Sequence, residues 1–523
     1  MKKILYNANV ITMEDELYSE AILIENGIIK GVGTNEEILD KKEKNTEVID
    51  MNKKTILPAF IDSHSHFSAV ANSYMQLQLN DCTSFDEIRN KITNYINQNG
   101  IKENEWIIAS GYDHNNLKEY MHPKKDFLDL CAPNNPLVLQ HQSGHVGVFN
   151  TKALEMLDVK DSANSPEGGV IEKTNGKLTG YMEEAAFVKY LKMVPMPDIE
   201  KILKGYKQAQ NKYLSYGIAT VQEGYMSKEL LPLYKALLNA NILKIDLVGY
   251  PDLDSIEKFK KEFSKSYKNY DKHFKIDGIK MILDGSPQGK TAWMKNPYIG
   301  DKEYKGYPSM RHEDVIKNII YAKDNNCQIL AHCNGDAAAE EFIHSCMEVG
   351  DVKNIRPVII HAQLITFEEL KEAKKLGLIP SFFIGHVYYF GDTHIKNFGL
   401  DRACKISPVK SAINNNMIYT LHQDSPIIEP NMLESVWISV KRQTKTGKIL
   451  GEDESISILD ALKGITINAA YQYFEEDIKG SIKKGKLADL VILDKDPLKV
   501  QIDEIKDIKI LETIKNGEIL YKY

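Results

Sequence analysis

The chain has 523 residues, enough for one large domain with an accessory module, and its composition is that of an ordinary globular protein. Hydrophobic residues make up 43% and charged residues 27%, which argues against a disordered chain and against membrane spans. The net charge of -7 gives no general attraction for nucleic acid or anionic lipid, so we expect neither as a partner. The expected partner is a small-molecule substrate.

The first residues predict a cytoplasmic protein. Two lysines follow Met1, but polar residues interrupt the next apolar stretch too soon for a signal peptide. The six cysteines are scattered without a CxxC pair, so neither a disulfide framework nor a zinc ribbon is indicated. For the oligomeric state, a homodimer is the default expectation.

Both ends of the chain have the pattern of β-structure. Residues 21–30 form two β-rich runs around Asn26-Gly27, which is a strong hairpin signal. Residues 508–521 repeat the pattern around Asn516-Gly517, just after the strand-like run 489–493. Because chain termini often lie close together, we expect residues 1–57 and 477–523 to form one small β-sandwich domain.

Between these ends, strand-like apolar runs alternate with charged helical stretches. The runs are 218–221, 279–283, 329–332, 358–361 and 418–421, and helices are predicted at 314–325, 366–376 and 456–470. This alternation predicts an α/β fold with a parallel sheet. No GxGxxG or GxxxxGK[ST] sequence opens any of these helices, so residues 58–476 are expected to form a (β/α)8 TIM-like barrel. The stretch from about 70 to 215 is too long for one βα unit and is predicted to be an insertion.

The apolar run from Ile56 to Ile61 leads into His64 and His66. On a strand, residues i and i+2 share a face, so the two imidazoles would point to one place. A divalent cation would satisfy both nitrogen lone pairs. Taken alone, the pair is equally compatible with a chance HxH on a loop.

Polar residues also mark later strand ends. His332 and His361 end two apolar runs, and Asp424 follows a third. Lys280 lies inside a strand, where its charge is costly unless it is removed or paired. A lone strand-end histidine is more often structural, but all strands of a parallel barrel end at one rim. The joint placement therefore favours a single site.

The order HxH, Lys, His, His, Asp resembles the amidohydrolase superfamily, together with ILPAFIDSHSHF from Ile56 and GKLADLVIL from Gly485. Further motifs resemble its YtcJ-like branch, amidohydrolase family 3, which includes N-substituted formamide deformylases. The resemblance spans nearly the whole chain. These motifs are SGHVGVFNTKAL from Ser143, PEGGVI from Pro166, DGSPQGKTA from Asp284, AHCNGDAAAE from Ala331, RPVIIHAQL from Arg356, PSFFIGHVYYFGD from Pro380 and TLHQDSPI from Thr420.

The resemblance implies a ligand set. His64 and His66 would bind one zinc ion, His332 and His361 the other, and Asp424 would contact the first metal and the attacking water. Members of the superfamily hold one or two divalent ions, and manganese or iron is an alternative to zinc.

The resemblance also implies that Lys280 becomes N-carboxylated and bridges two metals. Carboxylation would replace the interior ammonium charge by a carbamate anion. Glu223, at another predicted strand end, is a rival carboxylate ligand.

The resemblance also implies hydrolysis of an amide-like carbon–nitrogen bond. A bound metal lowers the pKa of water to about 7 and polarises a carbonyl. Asp424 is the expected general base, which would accept the proton of the nucleophile and return it to the leaving nitrogen. The alternatives are a deaminase, an ester or carbamate hydrolase on the same site, or a non-catalytic regulatory protein that retains the fold.

Three polar residues are candidates for contact with substrate. His145, in the insertion, and His386, at the end of a strand-like run, could orient substrate or an oxyanion, with a structural role as the alternative for each. Gln288 is placed near the pocket by the resemblance alone.

Two further residues are expected to support the site. His422 shares a strand face with Asp424 by the i, i+2 spacing, so it could lie behind a ligand. Asp336 follows His332 by four residues, and we expect it to orient a ligand or cap the next helix.

Overall fold

The structure is a computed structural model and describes residues 2–523. The chain folds as two compact units. The first unit contains the chain up to Ser68 together with Ala209–Tyr523, and the second unit is Ala69–Gln208. The second unit covers most of the segment in which an insertion is predicted.

Two sheets of the first unit combine strands from both ends of the chain. One sheet has the strand order Ile28–Gly33, Ala21–Glu25, Lys2–Tyr6, Glu47–Asp50. The other has the order Glu518–Lys522, Ile510–Lys515, Leu490–Leu493, Thr55–Pro58, Asn9–Ile11, Tyr18–Ser19.

The two terminal sheets share one apolar cluster, to which both ends of the chain contribute. Val10, Ile24 and Ile56 from the beginning are buried with Leu490 and Ile514 from the end. Both predicted hairpins are confirmed, since Ala21–Glu25 pairs with Ile28–Gly33 and Ile510–Lys515 pairs with Glu518–Lys522.

The rest of the first unit contains two sheets in which every paired strand is parallel. One has the order Phe274–Ile276, Asp246–Pro251, Ile218–Met226, Phe60–Ile61. The other has the order Gly278–Ile282, Gln328–Cys333, Val358–His361, Ile379–Phe382, Thr420–Leu421. Helices connect most of these strands, so the chain has the α/β architecture that the alternating pattern predicts.

Hydrogen bonds join the end of the last parallel strand to the end of the first. Ser63 Oγ donates to the carbonyl of Leu421 at 3.2 Å, and the Asp424 amide donates to the carbonyl of His64 at 3.2 Å. These bonds bring polar residues from both ends of the run of strands to one place.

The helices of the chain are mostly short. The α-helices of the described chain are Asn35–Leu39, Phe67–Ser73, Phe85–Asn99, Lys125–Cys131, Thr151–Met156, Glu184–Leu191, Ile199–Ser215, Leu231–Ala240, Ile256–Glu262, His312–Asp324, Asp336–Val349, Phe367–Lys375, Gly385–Tyr389, Gly391–Phe398, Leu400–Ala403, Val409–Asn414, Met432–Lys441, Ile458–Gly464 and Ile467–Gln472. Across residues 2–523, every helix is too short or too polar to span a bilayer.

Two predicted elements differ from the structure. The helix expected at 456–470 is two helices, because the carbonyl of Ile465 accepts a hydrogen bond from the Ile61 amide at 2.9 Å and Thr466 leaves the helical conformation. The strand expected at 418–421 is reduced to Thr420–Leu421.

The second unit is built on a six-stranded sheet. Its strand order is Gly169–Thr174, Lys177–Glu183, Val146–Phe149, Leu137–His141, Ile107–Tyr112, Leu77–Gln78. Separate apolar clusters pack around this sheet, one containing Ile88, Leu128 and Leu139 and the other Phe149 and Phe187.

Candidate metal centre

His64 and His66 follow the first parallel strand rather than lying on it. The strand ends at Ile61, and His66 forms an isolated bridge with Glu223. Their rings are 5.1 Å apart between centroids, with planes at 76°. The backbone turn therefore brings the two imidazoles together, and the expected strand geometry is wrong at this point.

The other strand ends bring three more polar side chains to the same region. His332 and His361 lie at the ends of neighbouring strands, and their ring centroids are 4.5 Å apart. Asp424 follows Thr420–Leu421 and has a φ of 55°. The ring centroids of His64 and His361 are 5.5 Å apart, so residues from both parallel sheets meet.

The Asp424 carboxylate lies at the centre of this group. Its Oδ1 is 3.6 Å from Nε2 of His64 and 3.4 Å from Nε2 of His66, and its Oδ2 is 4.0 Å from Nε2 of His361. One nitrogen of His64, one of His361 and one Asp424 oxygen all lie within 4.8 Å of one another. Oδ1 is buried and has no hydrogen-bond partner within residues 2–523. Buried polar atoms are normally satisfied, so this oxygen is suited to a cation.

Lys280 occupies the middle of its strand and is buried. Its Nζ makes no hydrogen bond to any part of the described chain. Burial lowers the pKa of the Lys280 ammonium to about 7, although the nearby Asp424 carboxylate opposes this shift. The strand therefore presents a lysine with an unsatisfied nitrogen.

The buried histidines are held in their neutral form. Burial lowers the pKa of both His64 and His361 well below the ordinary value, and Lys280 and neighbouring histidines lower it further. Neutral imidazole is the form that binds metals.

Asp284 orients His332, a role that sequence reasoning missed. Its Oδ1 lies 3.1 Å from Nδ1 of His332 and accepts the amide of Asn334 at 3.0 Å. Its Oδ2 accepts the amides of Gly335 and Trp293 at 2.7 and 3.1 Å. Asp284 follows the apolar run 279–283, so the same strand-end rule that selected His332 could have found it.

Polar contacts also hold His64 and His361, in each case at the Nδ1 atom. Nδ1 of His64 lies 2.6 Å from Oε1 of Gln222, a residue that sequence reasoning also missed. His422 connects Ser381 to His361, with Nδ1 2.8 Å from the serine hydroxyl and Nε2 3.2 Å from Nδ1 of His361. Such contacts set the tautomer and direction of a metal-binding imidazole.

The Glu223 carboxylate is buried and already hydrogen-bonded. Its Oε2 accepts the Ser68 amide at 2.8 Å and the Tyr234 hydroxyl at 2.6 Å, and the Ser68 hydroxyl also donates to it. These three bonds engage Oε2 alone, and Glu223 stays the alternative carboxylate ligand.

Asp336 begins the helix that follows His332, and Gly335 takes the capping position. Asp336 Oδ1 accepts the backbone amide of Lys295 at 2.8 Å. Asp336 therefore holds the loop that contains Lys295, and the residue that orients His332 is Asp284.

The three predicted substrate residues lie in different settings. His386 lies in the helix Gly385–Tyr389 rather than at a strand end, because Ile379–Phe382 ends four residues earlier. It is buried, its Nδ1 is 2.9 Å from Nε2 of His394, and its ring centroid is 6.4 Å from that of His361.

Gln288 is half-buried, and its Oε1 has no hydrogen-bond partner within residues 2–523. His145 belongs to the second unit, where its exposed side chain pairs with Glu184 at 3.0 Å.

Comparison with known proteins gives matches along the whole chain. A sequence model described as the amidohydrolase family matches residues 47–521. YtcJ of Bacillus subtilis (strain 168) is 27% identical over 547 residues, which cover 100% of each chain. An N-substituted formamide deformylase of Arthrobacter pascens is 25% identical over 533 residues, covering 99% of this chain and 98% of the relative.

A solved structure extends the comparison to the fold. An uncharacterized metal-dependent hydrolase from Pyrococcus horikoshii superimposes with a TM-score of 0.82 at 24% identity, covering 96% of this chain and 99% of the other. At this identity the likeness establishes a shared fold and nothing about substrate.

Proposed function

Because the chain belongs to the amidohydrolase family, we propose that it is a metal-dependent hydrolase that cleaves an amide-like carbon–nitrogen bond in a small molecule. Family membership supports a hydrolase, and the bond cleaved is the proposed part. The observation that carries the proposal is the buried Asp424 Oδ1, which has no hydrogen-bond partner among residues 2–523 and lies 3.6 and 3.4 Å from Nε2 of His64 and His66.

The side chains at this centre fit a divalent cation. Neutral imidazoles with one carboxylate are the donors of catalytic zinc sites, which keep an open position, and manganese or iron are the alternatives. A cation held there supplies Lewis acidity, which lowers the pKa of water to about 7 and polarises a carbonyl. The residues that would hold one or two ions are His64, His66, Lys280, His332, His361 and Asp424.

Asp424 is the proposed general base. Its Oδ1 is free to accept a proton, and the backbone hydrogen bond from its amide to His64 fixes the carboxylate beside the histidines. In hydrolysis it would take a proton from the attacking water and return it to the leaving nitrogen.

Lys280 is the proposed site of N-carboxylation. Its neutral amine would add to carbon dioxide, forming a carbamate N–C bond and releasing one proton. Nζ has no hydrogen-bond partner in the described chain, residues 2–523, which supports this proposal because a carbamate would carry oxygens that can bind a cation. In protein incubated with 13C-bicarbonate, a carbamate carbon resonance should be present and should vanish in Lys280→Met. Its absence from metal-loaded parent protein would contradict carboxylation.

Hydrogen bonds between strand ends and a shared apolar cluster support a proposed architecture. We propose that the two parallel sheets close into a (β/α)8 barrel within residues 58–476, supported by the bonds from Ser63 and Asp424 across the join. The two terminal sheets, from residues 1–57 and 477–523, would form a β-sandwich around their shared apolar cluster.

The activity test uses full-length protein reconstituted with zinc, manganese or ferrous iron. N-substituted formamides come first in the panel, because the relative from Arthrobacter pascens is named for them. N-acyl amino acids, cyclic amides, carbamates, esters and aminopurines follow. We expect metal-dependent hydrolysis of an amide. A fully metallated protein that hydrolyses no amide would refute the proposed function.

The proposed role of Asp424 as general base is tested by the variant Asp424→Asn. We expect bound metal to remain and kcat to fall by at least about 100-fold, because the amide cannot accept the proton. Asp392→Asn is the matched control, since Asp392 lies on the helix Gly391–Phe398 and binds Thr446 and Lys448. Parent-like turnover in Asp424→Asn would remove Asp424 from this role.

A further inference from the structure

Three metal-ligating side chains lie together within the second unit. The strands Ile107–Tyr112 and Leu137–His141 are parallel neighbours, and Tyr112 is opposite His141. Asp113 and His114 follow the first strand directly, while His141 ends the second. Parallel strands end at the same edge, so the topology itself brings these residues together.

A β-bulge turns this strand end toward its neighbour. The pairing register shifts between Ser110 and Tyr112, and Gly111 between them has a φ of 92°. Bulges with a left-handed glycine commonly redirect the side chains that follow. Here they bring Asp113 and His114 against the ring of His141.

We propose that Asp113, His114 and His141 form a binding site for a divalent transition metal, with zinc as the preferred ion. Nδ1 of His114 lies 3.2 Å from Nε2 of His141. Oδ1 of Asp113 lies 3.6 Å from Nδ1 of His114 and 3.5 Å from Nε2 of His141. Zinc–ligand bonds of about 2.0–2.2 Å place neighbouring atoms of a tetrahedron about 3.3–3.6 Å apart. The three atoms thus have the spacing of one tetrahedral face.

Neighbouring contacts hold each of the three side chains. Ser143 Oγ lies 2.9 Å from Nδ1 of His141, and the ring of His122 stacks on His114 with centroids 4.0 Å apart. The Asn115 amide and side chain donate to Asp113 Oδ1 at 2.9 and 3.0 Å, and Gln142 donates to Oδ2. The Asp113 and His141 side chains are 11% and 10% exposed, so solvent competes weakly for them.

Metal binding would change the tautomer of His141. In the metal-free arrangement the Ser143 amide donates to Nδ1 at 3.1 Å, which leaves the proton on Nε2 to bridge to His114. In the metal-bound arrangement Nδ1 would carry the proton and donate to Ser143 Oγ, which frees the Nε2 lone pair and requires the Ser143 amide to turn away from Nδ1. The serine hydroxyl can serve both states because it donates or accepts.

The donor set selects the class of ion. Two imidazoles and one carboxylate favour zinc and its neighbours in the transition series over calcium and magnesium, which prefer oxygen ligands. Three protein ligands leave a fourth position for water or another ligand. The ion would also link the segment after one strand to the segment after the next, and would thereby stabilise the second unit through binding.

Zinc stoichiometry of the full chain tests the site. Protein stripped with chelator is titrated with zinc against a chromophoric competitor, comparing the parent with Asp113→Asn and His141→Gln. We expect each variant to bind one zinc equivalent fewer, or to bind that equivalent more than about 10-fold more weakly. His145→Gln is the matched control, because His145 is an exposed histidine of the same unit paired with Glu184, and it should keep the parental stoichiometry. Unchanged binding in both cluster variants would overturn the proposal.

Anomalous diffraction at the zinc edge tests it without substitution. A peak about 2.0–2.2 Å from the three named atoms in zinc-soaked parent crystals is expected. Empty density there at full occupancy of the His64–His361–Asp424 centre would refute the site. The result does not depend on hydrolytic activity, so the proposed function can fail while this site stands.

Discussion

Three candidate metal-binding histidines are each fixed by one polar side chain from a distant part of the chain. Gln222 contacts His64, Asp284 contacts His332, and His422 contacts His361. Each contact occupies the Nδ1 atom, so Nε2 of His64 and of His361 is left for the centre, while Nε2 of His332 also lies 3.4 Å from the side-chain nitrogen of Asn334. An imidazole held in this way pays less ordering entropy on binding a metal.

Asp284→Asn tests this orienting role. The amide keeps the shape of the carboxylate, but its NH2 group would face backbone donors that now bind oxygen, including the amide of Gly335. We expect metal affinity to fall by about 10–100-fold and the free energy of unfolding by about 1–3 kcal/mol. Chelator competition and urea unfolding measure the two effects.

Asp336→Asn is the matched control, because Asp336 accepts the Lys295 amide instead of holding a ligand. Its metal affinity should equal that of the parent. Equal affinities in Asp284→Asn and the parent would show that His332 needs no carboxylate partner.

The sequence predicts the candidate ligands better than the residues that support them. His332, His361 and Asp424 follow local apolar runs, so a strand-end rule finds them. Gln222 is 158 positions from His64, and its role exists only once the strands are neighbours. No local pattern encodes that pairing.

At the scale of elements, the two Asn-Gly hairpins meet each other. The Ala488 amide donates to the carbonyl of Gly27 at 2.8 Å, and the Gly517 amide donates to the carbonyl of Ala488 at 2.9 Å. Gly27 has a φ of 80°, and a Cβ there would lie 2.7 Å from the carbonyl oxygen of Asn516. The contact between hairpins therefore requires glycine.

Gly27→Ala should destabilise the protein through both strain and collision. The left-handed conformation costs about 1–2 kcal/mol for a residue with a side chain, and displacement of the Asn516 carbonyl adds to this. We expect a loss of more than about 2 kcal/mol in urea unfolding.

Gly485→Ala separates the two causes. Gly485 also has a positive φ, 100°, but a Cβ there meets nothing within 4 Å. It should lose only the strain contribution. If both variants lose the same free energy of unfolding, the collision between the new Cβ and the Asn516 carbonyl contributes nothing to the loss.

Helix boundaries in the first unit depend on tertiary contacts. The pattern over 456–470 suits one helix, but the Ile465 carbonyl is used by the Ile61 amide, a partner some 400 residues earlier. Local propensity cannot include that bond. The Asn-Gly hairpins were predictable, in contrast, because their turn residues act within four positions.

Across the whole molecule, buried charges join the parallel strands to the C-terminal segment. Asp246 Oδ2 lies 2.6 Å from Nζ of both Lys479 and Lys515, and Lys515 also binds Asp489 at 2.6 Å. Lys479 pairs in addition with Glu475 at 2.9 Å. All five residues are buried, so each charge depends on the others.

Asp246→Asn should be strongly destabilising. It leaves two buried ammonium groups without their shared partner, which costs about 3–5 kcal/mol. Glu504→Gln is the matched control, since it breaks the half-exposed Lys495–Glu504 pair and should change unfolding by less than about 1 kcal/mol. A loss at Asp246 no larger than the control would contradict the importance of this network.

The effect of Asp246→Asn should also depend on pH. Burial alone would raise the pKa of Asp246, but Lys479 and Lys515 hold it well below its ordinary value. A depressed folded pKa adds stability above the unfolded pKa of about 3.9, and this stability is lost as pH falls toward the folded value. The difference between parent and variant should be constant from neutral pH to about pH 5 and shrink below about pH 4. A difference that grows on acidification would reverse the assigned sign.

The pairing of Thr55–Pro58 with Leu490–Leu493 has a consequence for the order of events during synthesis. Phe60, two residues after Pro58, starts the strand that leads to His64, yet the partner strand is made about 430 residues later. At about 5–20 residues per second, the ribosome takes about 20–90 s to cover that distance. The nascent chain therefore lacks this strand pairing until synthesis is nearly complete, and we expect cofactor loading to follow release of the finished polypeptide.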